Sequence, residues 1–66
     1  MQVTINGEKR ELNKDATISE MLKDLALPGE RIAVELNRSI VRKKDWDTIF
    51  IKDDDKIEIV HFVGGG

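Results

Sequence analysis

The sequence predicts an α+β domain in which a mixed sheet of four to five strands carries one main helix packed on one face. Three observations lead there. Short segments of alternating apolar and polar residues recur along the chain, a single stretch has helical spacing, and 66 residues suffice for one domain only. A domain of this size buries roughly 60% of the surface its unfolded chain exposes. Such a core leaves little room for an enclosed pocket of about 300 Å³ or more, which argues against a self-sufficient enzyme.

In Gln2 to Asn6, Val3 and Ile5 alternate with polar residues, the period of a strand with one buried face. Asn6 and Gly7 tolerate the positive φ angles of a type I′ turn, so Glu8 to Leu12 returns antiparallel as a hairpin. Ile18, Met21, Leu22 and Leu25 then follow the i, i+3, i+4, i+7 spacing of one helical face. Thr17 and Glu20 complete a capping box at its start. Leu27, Pro28 and Gly29 are the expected stop, because proline cannot continue the ladder and glycine frees the backbone to turn.

Ile32, Val34 and Leu36 alternate with Ala33, Glu35 and Asn37 as a third strand, and Ile40 with Val41 suggests a short segment paired beside it. Ile49 to Ile51 reads as a brief further strand ahead of the acidic turn Asp53, Asp54, Asp55. Ile57 to Val63 is the last strand. Its Ile57 and Ile59 suit the buried face, while Val60 and Phe62 fall on the opposite one. A register shift of one residue would exchange those two sets. Hairpin, helix and further strands in this order are the arrangement of a β-grasp domain. The division along the chain is a β-grasp domain over 1–63 and a flexible C-terminal glycine arm over 64–66.

Composition removes several functions. With no cysteine there are no disulfides, thiolate nucleophiles or cysteine metal sites, a composition that fits a reducing compartment. A hydrophobic content of 39% is enough for a folded domain. The net charge of −2, with both signs interspersed, provides no basic face for nucleic acid. No apolar run approaches the ~20 residues of a membrane span, and Met1 leads directly into a strand pattern. The expected location is the cytoplasm, with no membrane partner.

Gly64, Gly65 and Gly66 follow directly on the last strand. Three extended residues reach at most about 10 Å, and without side chains they can thread a narrow channel in another protein's active site. The Gly66 carboxylate at the tip is a poor acyl donor until it becomes a mixed anhydride with a nucleotide phosphate. This chain has no phosphate-binding glycine loop followed by Lys and Ser or Thr, so clamping ATP falls to a partner. The plain alternative is a frayed end.

With Asn6 and Gly7 after the opening strand, the helix from Ile18 to Ala26, the stretch Asn37, Arg38, Ser39, Ile40, Val41 leading to Trp46, and the closing Ile57 to Gly66, the whole chain resembles the ThiS family. These are sulfur carrier proteins of thiamin thiazole synthesis, ubiquitin-like β-grasp domains that end in two glycines. The resemblance implies that a ThiF-like, E1-like adenylyltransferase uses ATP to activate the Gly66 carboxylate. A sulfur donor relay then converts the adenylate to a thiocarboxylate, and a ThiG-like thiazole synthase takes the sulfur. Gly66 is then the modified residue, Gly64 and Gly65 the threading arm, and Val60 with Phe62 the partner-docking residues. No side chain is catalytic, no metal or cofactor is bound, and the protein is a cosubstrate of its partner enzymes. The pattern departs at Arg42 and Lys43, where many relatives have Pro and Arg, and at Asp54, where glycine is common. The alternatives are a molybdopterin synthase small subunit-like carrier, a non-covalent β-grasp interaction module and a ubiquitin-like protein modifier.

The remaining candidates favour structural readings. His61 has no second ligand near it in sequence, and Asp53 to Asp55 lacks the alternating ligands and distal Glu of a calcium loop. Arg42, Lys43 and Lys44 form a short charge run of the kind that usually faces water. Trp46 is either an interface anchor or, as favoured here, the residue that fixes its polar turn onto the core.

Overall fold

A computed structural model describes residues 1–27 and 29–62. Asn6 and Gly7 both take positive φ, 49° and 83°, and this turn joins β1 (Gln2–Ile5) to β2 (Glu8–Glu11) as an antiparallel hairpin. Helix α1 (Ile18–Asp24) follows, then β3 (Ile32–Leu36), β4 (Ser39–Val41), a 3₁₀ turn at Lys43–Asp45 and β5 (Lys56–His61). The strands form one sheet in the order β2-β1-β5-β3-β4. β5 lies in the centre, parallel to β1 and antiparallel to β3. This is the β-grasp arrangement expected from the element order.

The α1 entry is built as the sequence predicts. The Thr17 hydroxyl accepts from the Glu20 amide at 3.1 Å, and the Glu20 carboxylate accepts from the Thr17 amide at 3.0 Å. Ile18, Met21 and Leu22 are buried against the sheet, where Val3, Val34 and Ile57 receive them. Apolar side chains from the sheet, the helix and the 46–51 segment form one core cluster.

The helix ends two residues earlier than expected, and without proline or glycine. Ala26 takes φ 57°, its amide donates to the Lys23 carbonyl at 3.0 Å, and the Leu27 amide donates to the Leu22 carbonyl at 2.9 Å. These bonds make a Schellman closure with alanine at the left-handed position. Leu27 is drawn half-buried against the core, which favours stopping here over another helical turn. Pro28 lies outside the described residues. An L-residue with a Cβ costs about 1–2 kcal/mol in this conformation, and glycine gives back roughly 0.5–1 of that as unfolded-state entropy. Ala26→Gly is therefore expected to stabilise the domain by about 0.5–1 kcal/mol, a rise of roughly 2–8 °C in the thermal midpoint. A midpoint equal to or below that of the parent would contradict the strain assigned to Ala26.

The segment Ile49 to Ile51 does not join the sheet as predicted. Phe50 forms an isolated bridge with Thr17, the Ile51 amide donates to the Ala16 carbonyl at 2.8 Å, and the Ile18 amide donates to the Ile49 carbonyl at 3.1 Å. Its backbone is thus satisfied by the chain entering α1. Ile51 is buried there, which explains its apolar character without a sixth strand.

Candidate functional site

β5 leads toward the glycines, and its surroundings hold it on both sides. Against β3 it runs in register from Leu36↔Ile57 to Ile32↔His61, and the Phe62 amide continues the pairing by donating to the Arg31 carbonyl at 3.0 Å. Toward β1, the Asn6 side chain takes over where the parallel ladder stops. Its Oδ1 accepts from the Ile59 amide at 2.7 Å and its Nδ2 donates to the Ile59 carbonyl at 3.2 Å. Asn37 does similar work at the strand's start, where its Oδ1 accepts from the Lys56 amide at 2.9 Å. The strand is fixed as far as Phe62. Gly64, Gly65 and Gly66, with Val63, lie outside the described residues.

The alternation along β5 is the predicted one. Ile57 and Ile59 are buried beneath α1, while Val60 and Phe62, each 51% exposed, lie on the other side of the sheet. No one-residue register shift has occurred. Ile40 on β4 is also exposed, at 74%. Val41 beside it is buried and pairs with Val34, so Ile40 shares the outward face with Val60. The sequence reading placed Ile40 in a paired segment but did not count it in this surface, although the alternation of Ile40 and Val41 carries that signal.

The other candidates take structural places. Trp46 is buried at 5% exposure, and its Nε1 donates to the Val41 carbonyl at 3.0 Å, which anchors the 3₁₀ turn to β4. Arg42, Lys43 and Lys44 are exposed around that turn. Asp54 takes φ 70°, the left-handed conformation its position requires. Asp53 accepts from the Gln2 amide and Asp55 from the Lys52 amide, both at 2.8 Å, so these carboxylates close the turn ahead of β5 and tie it to β1. His61 is exposed and pairs with Ile32 on the helix side of the sheet. There it lines an open concavity of about 390 Å³ with Arg10, Asp24 and Leu27. Among the described residues no group of three or more acids or histidines is spaced to hold a metal ion. No helix there is long and apolar enough to cross a membrane.

Fold and surface together define a small ubiquitin-like β-grasp domain whose central strand leads into a glycine-rich end. Comparison with known proteins narrows that class. The ThiS family model matches residues 3–66. The sulfur carrier protein ThiS of Bacillus subtilis is 40% identical over 63 residues, covering 94% of this chain and 96% of that protein. The crystal structure of the thiamine biosynthesis protein ThiS from Geobacter metallireducens superimposes with a TM-score of 0.85 at 30% identity, covering both chains completely. A thiazole synthase of Paramagnetospirillum magneticum is 39% identical over 66 residues, and this chain spans only 20% of its length. The chain belongs to the ThiS family.

Proposed function

We propose that this protein carries sulfur for thiazole formation as a thiocarboxylate on Gly66. The Gly66 carboxylate attacks the α-phosphorus of ATP in an E1-like, ThiF-like adenylyltransferase, and pyrophosphate leaves. Sulfur from a donor relay then displaces AMP at the acyl carbon, and a ThiG-like thiazole synthase accepts the sulfur. Adenylation makes the acyl carbon reactive, because AMP is a far better leaving group than oxide. The partner binds ATP and performs the chemistry; this chain presents the carboxylate on the arm of Gly64 and Gly65, with Val60 and Phe62 docking the enzyme. The chain thus acts as a cosubstrate that binds no cofactor of its own.

The observation that carries this reading is the family match, which spans residues 3–66 and so includes the terminal glycines. The thiazole synthases of Paramagnetospirillum magneticum and Magnetococcus marinus support the identity of the acceptor. Each matches this whole chain with only 20% of its own length, so a like segment occurs within a chain of that name.

Incubation with the adenylyltransferase, ATP and the sulfur donor tests the proposal by intact mass. The chain is expected to gain the mass difference between sulfur and oxygen, and fragmentation should place the gain on Gly66. An unchanged mass under conditions where the adenylyltransferase releases pyrophosphate with a known carrier sinks the proposal. Conjugation to lysines would favour a protein modifier instead.

A further inference from the structure

β5 is held from two sides only as far as Ile59. On the β1 side the parallel ladder comprises Thr4↔Lys56 and Ile5↔Ile57, and the Asn6 amide adds a bond to the Ile57 carbonyl at 2.9 Å. The chain then turns away at Asn6 and Gly7. Past that turn the Asn6 side chain reaches back to β5, accepting from the Ile59 amide and donating to the Ile59 carbonyl. A primary amide offers the same donor and acceptor as a peptide group, so this side chain stands in for the strand residue that β1 lacks. On the other side, pairing with β3 continues to Phe62. Among the described residues, 60–62 are thus bonded from the β3 side alone.

We propose that Asn6 is a positioning residue for the reactions at Gly66: its clamp on Ile59 sets the direction in which the glycine arm leaves the domain. This rests on the reading of Gly66 as the residue that reacts. Without the side chain, the last point held from both sides moves from Ile59 back to Ile57. The one-sided stretch ending at Phe62 then grows from residues 60–62 to residues 58–62, or from about 10 to about 17 Å. For the same angular play, its end sweeps an area about threefold larger. An enzyme must meet the arm's origin within that area before the carboxylate can be placed. The turn itself does not need this side chain. Asn6 takes φ 49°, a conformation that glycine adopts more readily, and Gly7 at 83° supplies the second half of the turn. Substitution by glycine therefore separates the clamp from the turn. Because the arm's origin is common to every reaction of Gly66, adenylation and sulfur transfer to thiazole synthase both depend on Asn6. A contact residue for one enzyme would affect that enzyme alone.

Asn6→Gly is compared with Ile51→Val, a destabilised core control whose backbone is tied to Ala16 rather than to β5. With rates corrected for the folded fraction, Asn6→Gly is expected to lower kcat/KM for adenylation by about three- to tenfold, and for sulfur transfer by a similar factor. Ile51→Val should stay within about 1.5-fold of the parent in both. Amide hydrogen exchange supplies a readout independent of activity. In Asn6→Gly the Phe62 amide, bonded to Arg31, should exchange at least about tenfold faster than in the parent, once the change at the Met21 amide, bonded to Thr17, is divided out. A merely structural Asn6 would lower both protections together and leave the corrected kcat/KM at the parent's value, and either result overturns the proposal. So does a loss confined to one of the two enzymes, or an equal loss in Ile51→Val. A parent chain that is not adenylated overturns the reading of Gly66 instead, and the exchange result is obtained without either enzyme.

Discussion

Deleting Gly66 is expected to abolish sulfur loading while leaving the thermal midpoint of the domain unchanged. An extended residue advances the chain by about 3.5 Å, so the shortened arm withdraws its carboxylate by that distance from the phosphorus it must attack. A misplacement of 1 Å can already cost about 100-fold in a positioned reaction. The loss should therefore exceed about 1,000-fold in the rate of adenylation. The fold is expected to persist because β5 is held by its register with β3, by the Asn6 side chain and by the Phe62–Arg31 backbone bond, all upstream of the deletion. Intact mass after exposure to adenylyltransferase, ATP and sulfur donor checks the first half, and a thermal melt checks the second. A truncated chain that still gains the oxygen-to-sulfur mass difference would remove Gly66 from the mechanism. An interaction module, by contrast, would lose nothing measurable on this deletion.

Local chemistry dictated much of the fold, and where it did the sequence was legible. Asn6 with Gly7 predicted a type I′ hairpin because both residues tolerate positive φ, and both adopt it. Thr17 with Glu20 predicted the helix start because their side chains satisfy amides within three residues. Val60 was placed outward by period alone, and its exposure agrees. The features that escaped prediction depend on distant partners or on residues in unfavoured conformations. Ala26 and Arg38 both take positive φ, 57° and 73°, with no glycine to signal it. At Ala26 the helix closure is bought by burying Leu27; at Arg38 the two-residue link between Leu36 and Ser39 imposes the conformation. Asn6 was legible as a turn residue, but its pairing with Ile59, 53 positions away, arises only once the sheet has formed. Ile49 to Ile51 has the composition of a strand, and only the approach to residues 16–18 decides that it stays outside the sheet.

Trp46→Ala is expected to cost about 3–5 kcal/mol, enough to unfold much of the population at ambient temperature. A domain of 66 residues holds about 3–10 kcal/mol in total, so the loss is a large share of it. Three effects combine. The indole is almost fully buried and packs in the core with Ile18, Val41 and Ile51, and a cavity left at this position has little surrounding mass to collapse into it. Its Nε1 is the donor to the Val41 carbonyl at 3.0 Å, a bond that alanine cannot make. Its own carbonyl accepts the Ser19 amide at 3.1 Å, so disorder in the 3₁₀ turn also releases the first turn of α1. Trp46→Phe separates these contributions. It retains most of the ring and should cost about 1–3 kcal/mol, for the lost indole hydrogen bond and the space the smaller ring leaves. Circular dichroism during urea unfolding measures both variants without relying on the indole as reporter. Losing the Trp46 anchor also loosens β4, the edge strand of the sheet. A loss for Trp46→Phe as large as that for Trp46→Ala would place the contribution of Trp46 in its hydrogen bond rather than in the buried ring.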